Sequence, residues 1–233
     1  MNCLEELKAR GYILYKYYPF DKIRLNSLVN NKIWLSTPEK YNDPFEFHFT
    51  LYPEVEEVAR RTGTEHFWVD IREEYNAKVA KKIEESKRKF CLCCFSEEYK
   101  NILMWSHYAE NHKGICVEYD FRNYRKVLYL EKVKYANDVV KFPQGGFEGF
   151  NRIFCTKALP WSYEHEWRLI LNAEKAGEMN APKINRIFLG CEFDHTGELS
   201  ENLKGFAQRK SIPLFQMKKS PTKYTLEETP CSE

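Results

Sequence analysis

The residues best suited to chemistry lie in the segment WSYEHEWR, residues 161–168. Side chains alternate along an extended chain, so Glu164, Glu166 and Arg168 share one face. A carboxylate pair beside a guanidinium can hold a ribose diol or stabilise a developing positive charge. A plainer interpretation of the same pattern is a Glu–Arg ion pair that ties the edge of a strand.

A second cluster lies in residues 94–120, CFSEEYKNILMWSHYAENHKGICVEYD. It places Trp105, His107, Tyr108 and His112 between two apolar runs. Polar atoms of buried rings need hydrogen-bond partners, so such a cluster at a helix–strand junction indicates a pocket wall. The two histidines are not at the i, i+4 spacing of a helical zinc pair, so this spacing does not favour a metal site.

Two further segments carry charged candidates. Asp43 and Glu46 supply oxygen atoms of the kind that bind divalent ions, but Asn42-Asp43-Pro44 is also typical of an Asx-turn. Lys16 lies among rings in the segment YKYY. It is either a functional cation or a lysine whose stem lies along a strand face.

Several function classes lose support from absent motifs. The chain has no Gly-x-Gly-x-x-Gly, no Walker phosphate loop and no Gly-x-Ser-x-Gly elbow. Rossmann-type dinucleotide binding, phosphate-loop ATP hydrolysis and α/β-hydrolase chemistry are therefore disfavoured. The formal net charge of +2 is too near zero to predict nucleic-acid binding from bulk electrostatics.

Composition predicts a globular protein with one large domain, residues 1–233. Aromatic residues make up 15% of the chain, so rings build much of the core or of a binding surface. Eight cysteines include Cys91, Cys93 and Cys94, but the chain lacks the paired Cys-x-x-Cys knuckles of zinc modules, which favours reduced thiols. No signal region opens the chain and no apolar run approaches ~20 residues, so we expect a cytoplasmic protein without membrane partners.

Periodicity favours an α+β fold with a mixed, mainly antiparallel sheet and flanking helices, because strands and helices alternate irregularly. Residues 53–89 are charged and periodic and predict a helical insertion. The polar tail, 226–233, is expected to fray. Residues 141–150 predict a loop. The helices are predicted at 2–10, 21–30, 98–110 and 197–210, and the strands at 12–18, 32–36, 90–95, 114–119, 127–135, 166–171, 184–189 and 212–217. In the helix at 21–30, Asp21 is the predicted N-cap, and Ile23, Leu25 and Leu28 are predicted to face inward.

The chain resembles the bacterial family called domain of unknown function 2971. The matching pieces are LYKYYPFD, KIWLSTPEKYNDPFEF, CFSEEYKNILMWSHYAENHKGICVEYD, WSYEHEWRL and INRIFLG. They extend from about residue 12 to residue 225. The Asn-Asp-Pro, Trp-Ser-His-Tyr and Glu-x-Glu-Trp-Arg pieces make the resemblance specific.

The order of landmarks also resembles an ADP-ribosyltransferase domain, which implies a split sheet. Such domains open with a strand that carries a His or Arg, continue with a Ser/Tyr element before a strand, and finish with a catalytic glutamate on a strand. ILYKYY, MWSHYAENHKGICVEY and the strand of Glu166 take these places. Lys16 stands where His or Arg is usual, and the middle motif is Trp-Ser-x-Tyr. These departures imply either altered chemistry or an inactive enzyme.

This second resemblance implies catalytic roles. Glu166 is expected to stabilise the oxocarbenium-like state that forms as the nicotinamide–ribose bond of NAD breaks, and Glu164 to orient the acceptor. Tyr108 or Trp105 is expected to stack on nicotinamide. Arg168 is expected to hold Glu166 or to contact the pyrophosphate.

The same resemblance implies roles in binding the substrate NAD. Lys16, with Ser96 or Ser106, is expected to hold a ribose or a phosphate, and Tyr17 joins this set. No resident metal is expected. The implied activity is ADP-ribosyl transfer or NAD hydrolysis, in a toxin or anti-phage effector, with a nucleic acid or a protein as the acceptor.

Two alternatives stay open. One is a non-catalytic module that binds a nucleotide, a nucleic acid or a protein, with the basic helical segment as its contact surface. The other is a metal-dependent nuclease or hydrolase that uses Asp43, Glu46 and Glu166. The basic residues of the contact surface are Arg60, Arg61, Lys81, Lys82, Lys87 and Arg88.

Overall fold

The computed structural model describes residues 3–51, 65–142, 147–173 and 175–231. These ranges form six α-helices: α1 (Cys3–Ala9), α2 (Lys22–Val29), α3 (Glu65–Lys87), α4 (Ile102–Tyr108), α5 (Phe147–Phe154) and α6 (Glu198–Lys210). The strands are β1 (Ile13–Tyr18), β2 (Lys32–Leu35), β3 (Phe49–Leu51), β4 (Phe90–Ser96), β5 (Ile115–Asp120), β6 (Leu130–Lys132), β7 (Lys134–Ala136), β8 (Val140–Phe142), β9 (Thr156–Ala158), β10 (Glu166–Asn172), β11 (Gly177–Asn180), β12 (Lys183–Leu189), β13 (Leu214–Lys219) and β14 (Leu226–Pro230). Each described helix is too short or too polar to pass through a lipid bilayer.

Eight strands form one sheet in the order β14-β13-β12-β5-β1-β4-β10-β6. Its neighbours pair antiparallel, except β12 and β13, which are parallel. Three smaller pairs, β2–β11, β3–β8 and β7–β9, surround it. The predicted α+β class with a mainly antiparallel sheet is therefore confirmed.

In the large sheet, the neighbours with the fewest paired residues are β1 and β4. These two strands share a single pair of opposed residues, Tyr15 and Ser96, whereas β1 faces β5 at every one of its residues. The ammonium of Lys16 crosses the gap and donates to the carbonyl of Cys94 at 2.8 Å. A side chain thus replaces part of the missing backbone ladder, and the sheet opens at this point.

Alternate residues of β1 serve opposite faces of the sheet, as the period of a strand requires. Leu14 and Tyr18 join the main core, which includes buried side chains of α1, α2 and α6. Tyr15 and Tyr17 join a second core with Trp105 of α4. The side of the sheet that α4 covers is therefore the side toward which Tyr15 and Tyr17 point.

A third core lies beneath α3 and α5. Ile83 of α3 and Phe154 of α5 pack with Phe47, Leu92 of β4 and Ile170 of β10. Each such fully buried side chain contributes about 1.5–3 kcal/mol relative to an exposed one. This core anchors the described part of the predicted insertion, whereas residues 53–64 of that insertion lie outside the described residues.

Helix ends follow local capping chemistry. The side chain of Asp21 accepts from the N–H of Arg24, which confirms the predicted N-cap of α2. Ile23, predicted to face inward, is 71% exposed, because it lies about 200° around the helix from buried Leu25. The helix predicted to start at residue 98 starts at Ile102, because Asn101 caps its first turn.

Other expected elements differ from the structure. The tail predicted to fray forms β14 over Leu226–Pro230, since pairing with β13 satisfies its backbone and Leu226 is buried. The predicted loop 141–150 gives way to α5 at Phe147. The strand predicted over 127–135 is a 3-10 turn (Val127–Tyr129) followed by the short strands β6 and β7.

The turn between α4 and β5 is held by a close backbone contact. Glu110, Asn111 and His112 all have positive φ, which costs energy for residues with a Cβ. The turn lies against Gly190, whose N–H donates to the carbonyl of Gly114 at 3.0 Å. A Cβ at Gly190 would collide with the carbonyl oxygen of His112.

We therefore expect Gly190→Ala to lower the free energy of unfolding by about 2 kcal/mol, the scale of overpacking in a tight site. Gly177→Ala is the matched control, because a Cβ there meets nothing within 4 Å. Urea denaturation of both variants measures the difference. Equal stabilities would contradict the close contact at Gly190.

Candidate functional site

A cavity of about 100 Å³ lies where β1 and β4 separate. Six of the nine residues predicted from the sequence line it, while Trp105, Ser106 and Arg168 do not. The six are Lys16, Tyr17, Ser96, Tyr108, Glu164 and Glu166. The opening of the sheet thus gathers residues from β1, β4, α4 and β10 around one space.

The cavity wall contains a buried lysine that sequence reasoning missed. The Nζ atom of Lys157, on β9, lies 2.5 Å from Glu164 Oε2, 3.3 Å from Glu166 Oε2 and 3.5 Å from Glu46 Oε2. Burial opposes its charge, but the carboxylates of Glu166, Glu164 and Glu46 outweigh burial and raise the pKa of Lys157. Lys157 therefore stays protonated and joins three acidic side chains.

Arg168 lies behind the cavity rather than in its wall. Its guanidinium is fully buried and donates from Nε to Glu166 Oε1 at 2.8 Å and from Nη2 to Glu166 Oε2 at 2.9 Å. It also donates to Glu46 Oε1 at 2.7 Å and to the carbonyl of Phe154 at 2.6 Å. The predicted role of holding Glu166 fits this geometry, and a pyrophosphate contact does not.

The two glutamates that line the cavity have different environments. Burial would raise the pKa of Glu166, but the charges of Arg168 and Lys157 lower it to about 2. Burial and the charge of Glu166 raise the pKa of Glu164, against the opposing effect of Lys157. Glu166 thus stays ionised, while Glu164 is the one of the two that takes up a proton more readily.

Tyr108 reaches the cavity from the end of α4. Its hydroxyl donates to Glu164 Oε1 at 2.5 Å. Burial, together with the charge of Glu164, raises the pKa of Tyr108, so the phenol remains a donor. This contact places an aromatic ring and a carboxylate side by side in the cavity wall.

Backbone geometry between the two glutamates aims them both at the cavity. A 3-10 turn, Leu159–Glu164, ends at His165, which has left-handed φ and ψ of 45° and 52°. Ser96 donates to the carbonyl of Glu164 at 2.6 Å, and Tyr135 accepts from the N–H of Glu166 at 2.8 Å. Ser96 therefore holds the backbone of a predicted catalytic residue, rather than presenting a free hydroxyl.

Lys16 approaches the cavity from the other face of the sheet. Its ammonium lies 5.5 Å and 5.6 Å from the ring centroids of Tyr18 and Phe95, which belong to the main core. Tyr17, its neighbour, points toward α4 and donates to the carbonyl of Glu98 at 2.7 Å. Lys16, Tyr108 and Glu166 thus line one cavity, but Lys16 does so through the gap between β1 and β4.

Trp105 and Ser106 are placed elsewhere. The indole of Trp105 is fully buried and donates to the carbonyl of Tyr99 at 2.7 Å, so no face is available for nicotinamide. Ser106 donates to the carbonyl of Ile102 and lies 3.0 Å from His112 Nε2, on the turn after α4. Of the two aromatic candidates for stacking, Tyr108 is the one at the cavity.

The residues of the nuclease hypothesis do not converge as metal ligands. Asp43 Oδ1 accepts from the N–H of Phe45 at 2.9 Å, the Asx-turn interpretation of this segment. The oxygens of Glu46 and Glu166 face Arg168 and Lys157, whose positive charges would repel a divalent ion. The described residues contain no group of three His, Cys, Asp or Glu side chains arranged to hold a metal.

The basic surface of the binding-module hypothesis is only partly described. Arg60 and Arg61 lie outside the described residues. Lys81 and Lys82 are exposed on α3, whereas Lys87 donates to the carbonyl of Phe47 at 3.1 Å. Arg88 pairs with Glu39 at 3.5 Å. The described part of this surface therefore includes two exposed lysines.

The charge of Glu166 predicts a pH-dependent stability. The folded pKa of about 2 lies below the ordinary value of 4.5, so its stabilisation is present above pH 4.5 and is lost as the pH falls toward 2. Glu166→Gln should cost about 3 kcal/mol at neutral pH, and this difference should shrink over that range. Denaturation at several pH values measures it, with exposed Glu201→Gln as the control. A difference that stays constant with pH would contradict the buried ion pair.

Comparison with known proteins gives a match to a family model. A family model described as "Protein of unknown function (DUF2971)" matches residues 104–144, which include most of α4, Tyr108 and all of β5. No curated protein and no solved structure matches the chain. The resemblance to the DUF2971 family inferred from the sequence is thereby confirmed over residues 104–144, and the other pieces that carried it lie outside the matched range.

Proposed function

We propose that the cavity is the active site of an enzyme that breaks the nicotinamide–ribose bond of NAD and passes the ADP-ribosyl group to water or to an acceptor. The observation that carries the proposal is the convergence of Tyr108, Glu164 and Glu166 on one cavity at the opening of the sheet. A ring for stacking and two carboxylates of different proton affinity are the groups that this reaction needs.

The size of the cavity supports entry of only a small part of the substrate. About 100 Å³ is below the 300–1,000 Å³ of pockets that enclose whole ligands. A single ring such as nicotinamide fits this scale, with the ribose at the mouth. Tyr108 supplies the ring that such a group stacks against.

In the proposed reaction the two carboxylates have different roles. The C1′–N1 bond of NAD breaks, and its electron pair neutralises the pyridinium nitrogen as nicotinamide leaves. Glu166, held ionised, stabilises the positive charge that develops on the ribose. Water or an acceptor hydroxyl forms the new bond to C1′, and its proton passes to Glu164.

The fold supports the same proposal through the order of its elements. The strand of Lys16, the element of Tyr108 and the strand of Glu166 follow one another along the chain in the order that the ADP-ribosyltransferase resemblance implies, and all three line the cavity. In this proposal the gap between β1 and β4 takes the place of the split in such a sheet. A toxin or phage-defence role, with a nucleic-acid or protein acceptor, is part of this proposal.

A second candidate function is a non-catalytic binder of the same nucleotide. It is favoured by one observation: both carboxylate oxygens of Glu166 already accept from Arg168, so its charge is largely neutralised. Such a protein would show a rise in melting temperature with NAD but no release of nicotinamide. The experiment that follows separates the two candidates.

Glu164→Gln should lower kcat for nicotinamide release from NAD by about 100-fold or more, because the variant has no carboxylate to accept the proton. Chromatography of nicotinamide after incubation with NAD measures the rate. Exposed Glu198→Gln is the matched control and should retain the wild-type rate. The enzyme proposal fails if wild-type protein releases no nicotinamide, and the binding alternative fails as well if NAD gives no thermal shift.

The pH profile of nicotinamide release tests the role of Glu164 separately. Activity should rise with pH through the raised pKa of Glu164, since the proton acceptor must be ionised. The hydroxyl of Tyr108 lowers that pKa by donating to the carboxylate. Tyr108→Phe keeps the ring and should therefore move the acidic limb of the profile to higher pH.

Tyr224→Phe removes a hydroxyl from a side chain that is 99% exposed and is the control. Its profile should coincide with that of the wild type. An acidic limb that stays in place in Tyr108→Phe would assign the titration to a group other than Glu164.

A further inference from the structure

Three partly exposed rings stand together beside the cavity and have no part in the proposed chemistry. We call them the aromatic rim: His107 on α4, and Trp161 and Tyr163 on the 3-10 turn that precedes Glu164. Their ring centroids are 6.5 Å apart for His107–Trp161, 6.0 Å for His107–Tyr163 and 6.1 Å for Trp161–Tyr163. Each ring thus contacts the other two.

Hydrogen bonds hold the rim rigid. The hydroxyl of Tyr163 lies 2.9 Å from His107 Nδ1, which joins the turn to α4. The side chain of Asn101 donates to the carbonyl of Tyr163 at 2.8 Å, so the residue that caps α4 also fixes the turn. Exposed rings with fixed positions lose little entropy when a ligand stacks on them.

The rim continues directly from the cavity wall. Lys157, which lines the cavity, places its ammonium 5.0 Å from the ring centroid of Trp161. Tyr108, which also lines the cavity, has its ring centroid 6.2 Å from that of His107. A ligand that fills the cavity and continues past Lys157 and Tyr108 therefore comes next to these rings.

The two segments that carry the rings also expose apolar side chains. Leu103 of α4 and Leu159 at the start of the turn are each 43% exposed. Both belong to the two segments that carry the rings. Exposed apolar side chains grouped with rings are typical of a surface that binds a planar, partly apolar group.

We propose that the aromatic rim is a stacking site for the purine ring of the dinucleotide, with Trp161 as its main contact. This inference rests on the proposed function, because a substrate whose nicotinamide fills the small cavity must place its second ring outside. Bases stack on aromatic side chains through their faces, whatever their hydrogen-bonding pattern. The rim thus selects dinucleotides over nicotinamide mononucleotide.

Two measurements test the rim. Trp161→Ala should weaken equilibrium binding of AMP about 10-fold or more by titration calorimetry, and Trp161→Phe should restore most of the affinity. In turnover, Trp161→Ala should raise KM for NAD and leave KM for nicotinamide mononucleotide unchanged. Tyr224→Ala, which removes an exposed ring elsewhere, should change neither. Circular dichroism and the melting temperature check that each variant is folded.

The outcomes separate this inference from the proposed function. AMP binding that depends on Trp161, with no release of nicotinamide, would support the rim and overturn the enzyme. Unchanged AMP affinity in Trp161→Ala would overturn the rim, as would an equal rise in KM for NAD and for the mononucleotide. Unchanged NAD hydrolysis with impaired transfer to a macromolecular acceptor would instead assign the rings to that acceptor.

Discussion

The guanidinium of Arg168 is fully buried, and every element around the cavity depends on its being paired. It joins Glu166 on the same strand, Glu46 from the turn before β3 and the carbonyl of Phe154 at the end of α5. Removing one partner from a buried ion pair leaves a charge in a medium of low dielectric, which typically costs 3–5 kcal/mol. Three segments distant in sequence are therefore fixed relative to one another by a single cation.

Lys157 extends this network to the cavity, so the network is more than a structural ion pair. Arg168 alone would explain a structural ion pair, because Glu166 needs no further partner for stability. Lys157 adds Glu164, whose second oxygen accepts from Tyr108. Three carboxylates around two cations leave one negative charge in excess when all are ionised. Such an excess favours uptake of a proton or of positive charge. Burial raises the pKa of both Glu46 and Glu164, and of these two Glu164 lines the cavity.

Local patterns in the sequence predicted most strands of the large sheet and the shared face of Glu166 and Arg168 on β10. The extended chain predicted through Glu164 was wrong, because Glu164 ends a 3-10 turn and His165 has left-handed backbone angles. Patterns of that kind report only on neighbours in the chain. Lys157 lies in FCTKALP, where nothing distinguishes it from an ordinary exposed lysine, and it matters because β9 pairs with β7 beside β10. The burial of Trp105 was also not predictable from local patterns. Its position in the sequence fitted a pocket wall, but it packs against Tyr17 inside the core. The strand Leu226–Pro230 likewise depends on a contact that local patterns do not report, its antiparallel pairing with β13.

The gap between β1 and β4 explains why the ion network can border a cavity at all. A continuous antiparallel ladder would bring strands to about 5 Å and leave no space between them. Here Lys16 fills the gap from one face, and its single bond to the carbonyl of Cys94 leaves the other face to Tyr108 and the two glutamates. A lysine suits this position because its long apolar stem can lie along the strand while its ammonium reaches the rings of Tyr18 and Phe95 and the carbonyl of Cys94. Lys16 therefore has a structural role, since its side chain lies in the gap of the sheet and lines the cavity.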